Sequence, residues 1–344
     1  MLGMRIGIDL GTDSIIAYAE GKGIVLSEPS VVVCDAFTGK PIAMGSAALK
    51  MTGRVPGSLK VVRPLKDGIV SDFALTEQML RYYIQKICKS AILRPFVAVC
   101  VPSTVTRFEK RTILNVIMAA GAGNACLIEE PLAAALGAGI GTKKPRGSIV
   151  VDIGGGTTDT AVITMGSIAV SSSVRAAGNS ITNAIIKYLS RERDIEVGFL
   201  TAEEIKCTIG SAVLREEETA MLASGKSIVS GMPLSFEINS TEVYFAIKDE
   251  LDLILRGTVQ VLERTPPELM SDIVDTGLTL TGGGSLLYGI AEMFKEHTGI
   301  DTDVASMPQY CVARGIGVAL KNIDILSRSG FDLSQDEFLA ASNI

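Results

Sequence analysis

Residues 148–173 read SIVVDIGGGTTDTAVITMGSIAVSSS. An apolar run ends on Asp152, three consecutive glycines follow, and a β-rich run then passes a second glycine turn into a further strand-like run, so the pattern predicts a β-meander. Glycine loses the most backbone freedom on folding, so three in a row mark close approach of a ligand or strand, with a tight β-turn as the alternative. Residues 5–28, RIGIDLGTDSIIAYAEGKGIVLSE, repeat the same grammar, with Asp9 in the place of Asp152, 143 positions earlier. In both, the glycine turn opens a strand. That excludes a Walker loop and a Rossmann fingerprint, whose glycines must open a helix. Two meanders, each heading an α/β half, predict a cleft between the halves.

Working outward, the apolar spacing predicts helices at about 76–88 and 108–120, strands FVAVCVP and ACLI, and a helix after Pro131. Beyond the second meander it predicts helices at 181–191 and 201–209, a hairpin region at 225–243 and a helix at 247–263. Strand LTLTGGG then leads into a helix at Leu286, and the tail from Ser327 is peripheral.

With 344 residues, the chain has ample length for two domains. Lys plus Arg number 32 against 38 Asp plus Glu, so the footprint of a nucleic-acid binder is missing. One histidine, His297, leaves no room for a His-based triad or a His-ligated zinc site. The six cysteines are scattered without Cys-x-x-Cys spacing and read as reduced core residues. Hydrophobic residues make up 47%, more than one core consumes, yet no run approaches the roughly 18 residues of a spanning helix and no signal peptide is evident. A cytoplasmic protein is expected.

Asp9-Leu10-Gly11-Thr12-Asp13-Ser14 reads either as an anion-facing turn or as a plain hairpin turn. Asp152-Ile153-Gly154-Gly155-Gly156-Thr157-Thr158-Asp159 is the stronger phosphate-loop candidate, and Thr281-Gly282-Gly283-Gly284-Ser285 offers a third run beside a helix start. Together they suggest a phosphate clamp, with Asp9 and Asp152 holding Mg²⁺ through its waters. Glu130, before Pro131 at N1, is either a capping carboxylate or a group that orients water at a γ-phosphate with help from Thr157. Glu203 and Lys206 share a helix face and read by themselves as a surface ion pair. Between Lys89 and Pro95, Ile92 and Leu93 either cap the core or form a small apolar wedge with basic neighbours for anionic lipid.

These segments resemble the MreB/Mbl family of bacterial actin homologues. IGIDLGT, KGIVLSEPSVV, RPLKDGIVSDF, LIEEPLAAALGAG, VVDIGGGTTDTAVI, RTPPEL and LTGGGSLL follow the family pattern in order and spacing, from Arg5 to Leu326. The resemblance implies an actin-like α/β fold with four subdomains around a nucleotide cleft. Subdomain IA would take residues 1–32, 66–146 and 314–330, IB 33–65, IIA 147–181 and 245–313, and IIB 182–244, with 331–344 as a tail. It implies ATP/ADP with Mg²⁺, slow ATP hydrolysis, and homopolymerisation into paired protofilaments. It further implies peripheral attachment to the inner face of the cell membrane, partnership with the cell-wall elongation machinery, and a role in cell shape.

By resemblance, Gly11 and Thr12 to Ser14 line the first phosphate loop, and Gly154 to Thr158 the second. Glu130 and Thr157 position the hydrolytic water. Gly178, Glu203, Glu204 and Lys206 flank the nucleoside, Gly282 to Leu286 close over it, and Ile92 with Leu93 form the membrane loop. The chain departs from the family at Asp13, where a small residue is usual, at Ser14-Ile15, at Ala177-Gly178-Asn179 in place of Gly-Gly-Asp, and at Asn183. A carboxylate at 13 weakens nucleotide binding unless it turns away or binds metal. A non-hydrolysing scaffold filament and a small-molecule kinase are the competing functions, while a chaperone would need a substrate-binding domain beyond residue 344.

Overall fold

The computed structural model describes residues 3–89, 93–141 and 145–321. Both meanders form. In the first half, β1 (Arg5–Leu10), β2 (Ser14–Ala19) and β3 (Gly23–Pro29) run antiparallel in succession. A small layer follows, made of β4 (Val32–Asp35), β5 (Pro41–Met44), α1 (Ser46–Met51) and β6 (Leu59–Val62), then the short hairpin of β7 (Leu65–Lys66) and β8 (Ile69–Val70). Next come α2 (Phe73–Cys88), β9 (Phe96–Val101), α3 (Arg107–Ala119), β10 (Asn124–Glu129) and α4 (Glu130–Ala138). Strands β9 and β10 pair parallel beside β1, giving the sheet order β10-β9-β1-β2-β3.

The second half repeats this plan. β11 (Ser148–Ile153), β12 (Thr158–Thr164) and β13 (Ser167–Val174) form the meander. Then come α5 (Gly178–Glu192), β14 (Ile195–Glu196), α6 (Phe199–Ile209), β15 (Ala220–Ser227), β16 (Pro233–Asn239), α7 (Ser240–Glu263), α8 (Pro267–Thr276), β17 (Leu278–Thr281), α9 (Ile290–Thr298), β18 (Thr302–Val304) and α10 (Cys311–Lys321). The order β13-β12-β11-β17-β18 has the same sequence of antiparallel and parallel pairings as the first sheet. Asp9 and Asp152 occupy the same position in β1 and β11, so the duplication seen in the sequence is a duplication of structure.

Each half has its own apolar core, and a third cluster joins them. In that cluster α4 and α10 lie between the sheets, packing Ala133, Ala134 and Ile316 against Ala98 and Cys126 on one side and Val150 and Ala161 on the other. Gly137 and Gly315 face each other where the helices cross. A Cβ on either would meet the other's backbone nitrogen at 2.9 Å, so only glycine allows this approach.

Several expected boundaries shift. The hairpin spans 220–239 and not 225–243, because Asn239 caps α7 reciprocally with Glu242, turning 240–243 into helix. Asp72 caps α2 by accepting from the Leu75 N–H at 3.0 Å, which starts that helix before residue 76. The third glycine run does not enter an α-helix at Leu286. Gly283–Leu286 make a 3₁₀ turn, and α9 begins at Ile290. Pro131 is the second residue of α4, one position later than expected, since the helix opens on Glu130. His297 packs in the last turn of α9 with Nδ1 2.9 Å from the Met293 carbonyl oxygen, and all six cysteines are free thiols.

Candidate functional site

The two glycine turns and the Gly282–Leu286 run converge on a cleft of about 430 Å³. Asp9 and Asp152 stand on opposite walls at the ends of β1 and β11. Asp9 keeps some exposed area toward the cleft, yet the surrounding protein pushes its carboxyl up to about 8, with Asp152 adding repulsion. Burial raises Asp152 to about 7, despite the Thr281 hydroxyl donating to its Oδ1 at 2.7 Å. Glu130, 7% exposed on the first turn of α4, is driven well above the usual carboxylate range by burial and then by Asp159, Asp9 and Asp152. A helix N-terminus favours a charged carboxylate, so burial and like-charge repulsion outweigh the dipole here.

Asp159 belongs to the same cluster and escaped assignment from the sequence. It lies directly across the β11–β12 ladder from Asp152, on the same face, where like charges destabilise a sheet. Ser103 donates to its Oδ1 through N–H and Oγ at 3.4 and 3.5 Å, and the hydroxyls of Thr157 and Ser173 also oppose the rise that burial causes. Its signal was the period of the strand: Thr157 and Asp159 face the cluster, so Thr158 cannot.

The turns touch. Thr12 Oγ1 accepts from the Gly68 N–H at 2.9 Å, and a side chain at Gly156 would strike that hydroxyl at 2.5 Å. Asp13 neither points away into solvent nor stands alone. Its Oδ1 accepts from Arg63 Nη1 at 2.7 Å and from Asn179 Nδ2 at 3.0 Å. The departures at 13 and 179 therefore match: an aspartate at 179 would face Asp13 carboxylate to carboxylate, while asparagine supplies a donor.

At the other end, Lys206 Nζ donates to Glu203 Oε2 at 2.8 Å and to the Gly178 carbonyl at 3.1 Å. Glu203 also accepts from Thr182. Arg215 lies 4.1 Å over the Tyr288 ring and donates to the Gly210 carbonyl at 3.2 Å. Arg63, Gly68, Arg215, Tyr288 and Gln309 are wall or latch residues that the sequence analysis did not assign: Arg63 and Gly68 lie in the quoted RPLKDGIVSDF segment and Tyr288 just past the third glycine run, but only the folded contacts bring them to the site.

Of the residues expected there, Asp9, Gly11, Thr12, Asp13, Ser14, Glu130, Asp152 and Gly154 to Thr157 line the cleft, as do Gly178, Glu203, Lys206, Gly282 to Gly284 and Leu286. Three side chains do not. Thr158 turns its hydroxyl to the Ala176 carbonyl at 2.7 Å, Glu204 is exposed one helical step away from Glu203, and Ser285 donates to Gly282 within the 3₁₀ turn. Leu93 is exposed and remote from the cleft, and Ile92 lies outside the described residues. Among the described residues no three carboxylate, imidazole or thiol side chains converge to hold a metal ion by themselves, and no helix is long and apolar enough to cross a membrane. The Oδ2 of Asp159 is buried without a hydrogen-bond partner. An acidic floor with an unmet oxygen fits a hydrated divalent cation shared with phosphate oxygens better than an all-protein cage.

Residues 3–328 match the MreB/Mbl protein family. The chain is 43% identical over 329 residues to the cell shape-determining protein Mbl of Bacillus subtilis (strain 168), covering 95% of this chain and 99% of that one. It is 43% identical over 343 residues to the cell shape-determining protein MreB of Escherichia coli (strain K12), covering 98% of each. Crystal structures of MreB5 of Spiroplasma citri bound to ADP and to AMPPNP superpose with TM-score 0.91 at 36% identity, over 95% of this chain and 99% of that one. The MamK double helical filament shares the actin-like fold, with TM-score 0.78 at 20% identity over 92% of this chain and 98% of that one.

Proposed function

Because the chain belongs to the MreB/Mbl family, we propose that it is an ATP-binding, actin-like cytoskeletal protein that polymerises into membrane-associated filaments and helps to determine cell shape. The observation that carries this is the pairing of Asp9 and Asp152, each at the same point of a repeated meander, across a cleft built from glycine turns. The MreB5 structures of Spiroplasma citri hold ADP and AMPPNP in the same fold.

Mg²⁺ would be held by Asp9 and Asp152 through water, and when bound it supplies charge neutralisation for phosphate oxygens and for the acidic floor. The residues then act by positioning. Backbone N–H groups of the two glycine turns cradle the phosphates, Glu130 in its ionised form orients a water and accepts its proton, and the Thr157 hydroxyl fixes that water's direction. Glu203 and Lys206 flank the nucleoside. The partition into subdomains IA, IB, IIA and IIB is supported by the two five-stranded sheets and the two three-stranded ones beside them.

Exposed Phe37, Val229 and Met232, 89%, 82% and 64% accessible, lie in the β4–β5 and β15–β16 connections and suit contacts between copies. Ile92 and Leu93, between Lys89 and Arg94, would dip into the inner face of the cytoplasmic membrane. Attachment there would bring the filament to the cell-wall elongation machinery.

The test is phosphate release with Mg-ATP, with and without anionic liposomes, pelleting the same samples and running Glu130→Ala alongside. Release that depends on Glu130 and accompanies pelleting supports a polymerising ATPase. The Asp13 contacts favour a second reading, a scaffold that assembles without turnover. Pelleting without release would select it and remove Glu130 and Thr157 from a catalytic role.

A further inference from the structure

Asp13 sits where the two halves of the cleft meet. Its partners come from separate pieces of the chain: Arg63 follows β6, and Asn179 lies in the first turn of α5. Oδ1 takes both hydrogen bonds, at 2.7 and 3.0 Å, while Oδ2 lies so close to Gly155 that any side chain there would overlap it. Arg63 is held from a second direction by the Phe199 ring of α6, 5.2 Å from its centroid. Asn179 is anchored through its main chain, whose N–H donates to the Gly155 carbonyl at 2.8 Å. The carboxylate thus rests against the tip of the second glycine turn with its charge answered by a fixed guanidinium and a fixed amide.

A phosphate chain laid between the turns needs the same space and brings like charge. The floor below carries Asp9, Glu130 and Asp152, whose Mg²⁺ would serve a diphosphate and a triphosphate alike, and the nearby cation Lys206 is committed to Glu203. Every added phosphoryl group deepens the conflict, since it adds bulk and charge beside Asp13.

We propose that Asp13 is a specificity-determining residue: a resident anion, held by Arg63 and Asn179 across the glycine turns, that makes the cleft prefer a nucleoside diphosphate to the triphosphate. The triphosphate enters only by drawing Arg63 and Asn179 away from Asp13, whereas the shorter chain leaves their contacts in place. The proposal rests on the nucleotide-binding function above and specifies which nucleotide state the site retains.

The experiment is calorimetric titration of the full chain with ADP and with AMPPNP, each with Mg²⁺, for the parent, Asp13→Ala, Asp13→Asn and Arg63→Ala. The parent is expected to bind ADP about tenfold more tightly than AMPPNP, a difference that one partly screened charge repulsion supplies. Both Asp13 variants are expected to bring the two affinities within about threefold by tightening AMPPNP alone. Arg63→Ala leaves the carboxylate uncompensated and weakens AMPPNP further. An ion pair with only a structural role would shift both nucleotides together. An unchanged ADP to AMPPNP ratio in Asp13→Ala, with binding retained, overturns the proposal alone. Failure of the parent and of Asp13→Ala to bind either nucleotide overturns the nucleotide-binding function and the proposal with it.

Discussion

Replacing Asp9 by Asn should change how stability depends on pH, with a sign opposite to that of most carboxylates. Asp9 and Asp152 are raised to about 8 and about 7, above the ordinary value of 3.8 that each regains on unfolding. Between those limits the folded chain holds protons that the unfolded chain has released. Stability from these groups is therefore complete at the acid end and is lost as pH climbs through the folded values. Each group contributes a slope of about 1.4 kcal/mol per pH unit while it is protonated in the fold and ionised in the unfolded chain. Asp9→Asn deletes one such group. Measured by urea unfolding in EDTA without nucleotide, the variant should gain on the parent by about 3 kcal/mol between pH 5 and pH 7 and level off above pH 8. Parallel curves would refute the reasoning, as would a parent that gains stability over this window relative to the variant. Glu130 and Asp159 lean the same way, so the parent's own curve should fall with pH more steeply than Asp9 alone requires.

Gly315→Ala should destabilise by about 1–3 kcal/mol in the same assay, because overpacking against α4 outweighs the gain of about 1 kcal/mol in helix propensity; its Cβ would lie 2.6 Å from the Ala133 carbonyl carbon, and unchanged or higher stability would show that the helices part freely. Asp159→Ala should slow phosphate release about tenfold through misplacement of Thr157. Removing that negative neighbour also lowers the Glu130 pKa, so the acid limb of the rate profile should move to lower pH; a profile that stays put would assign Asp159 to folding alone. Ile92→Ser with Leu93→Ser should abolish co-sedimentation with anionic liposomes while leaving pelleting without lipid intact, and retained lipid binding would move the membrane contact elsewhere.

Much of the fold was legible because its signals are local. A meander announces itself by strand-length apolar runs with glycine turns, and its repetition places Asp9 and Asp152 in equivalent positions from the sequence alone. Glu130 was legible for the same reason, sitting between a strand end and a helix-starting proline. Asp159 lies in the same motif yet is not legible from it, since its importance depends on facing Asp152 across a ladder whose register comes from the folded sheet. Glu204 and Ser285 were drawn in by neighbourhood in sequence, whereas a step of one residue on a helix or 3₁₀ turn sends a side chain elsewhere. The boundaries of the 220–239 hairpin and of α7 slipped because the Asn239 and Glu242 capping box was read as part of a strand.

By itself the sequence determined the duplicated α/β plan, the family, the acidic pair and the glycine turns that could hold phosphate. All of these depend on residue types at short, fixed spacings, which local conformational preference reads directly. Tertiary structure alone decided what Asp13 does. In the linear chain it is an unwelcome charge in a phosphate loop, and its meaning changes only when Arg63, 50 positions away, and Asn179, 166 positions away, are brought to its oxygen. Hydrogen bonds act only within about 3 Å and Coulombic terms weaken with distance and screening, so distance in space, set by two sheets closing on α4 and α10, determines whether a carboxylate repels a ligand or is neutralised by protein partners.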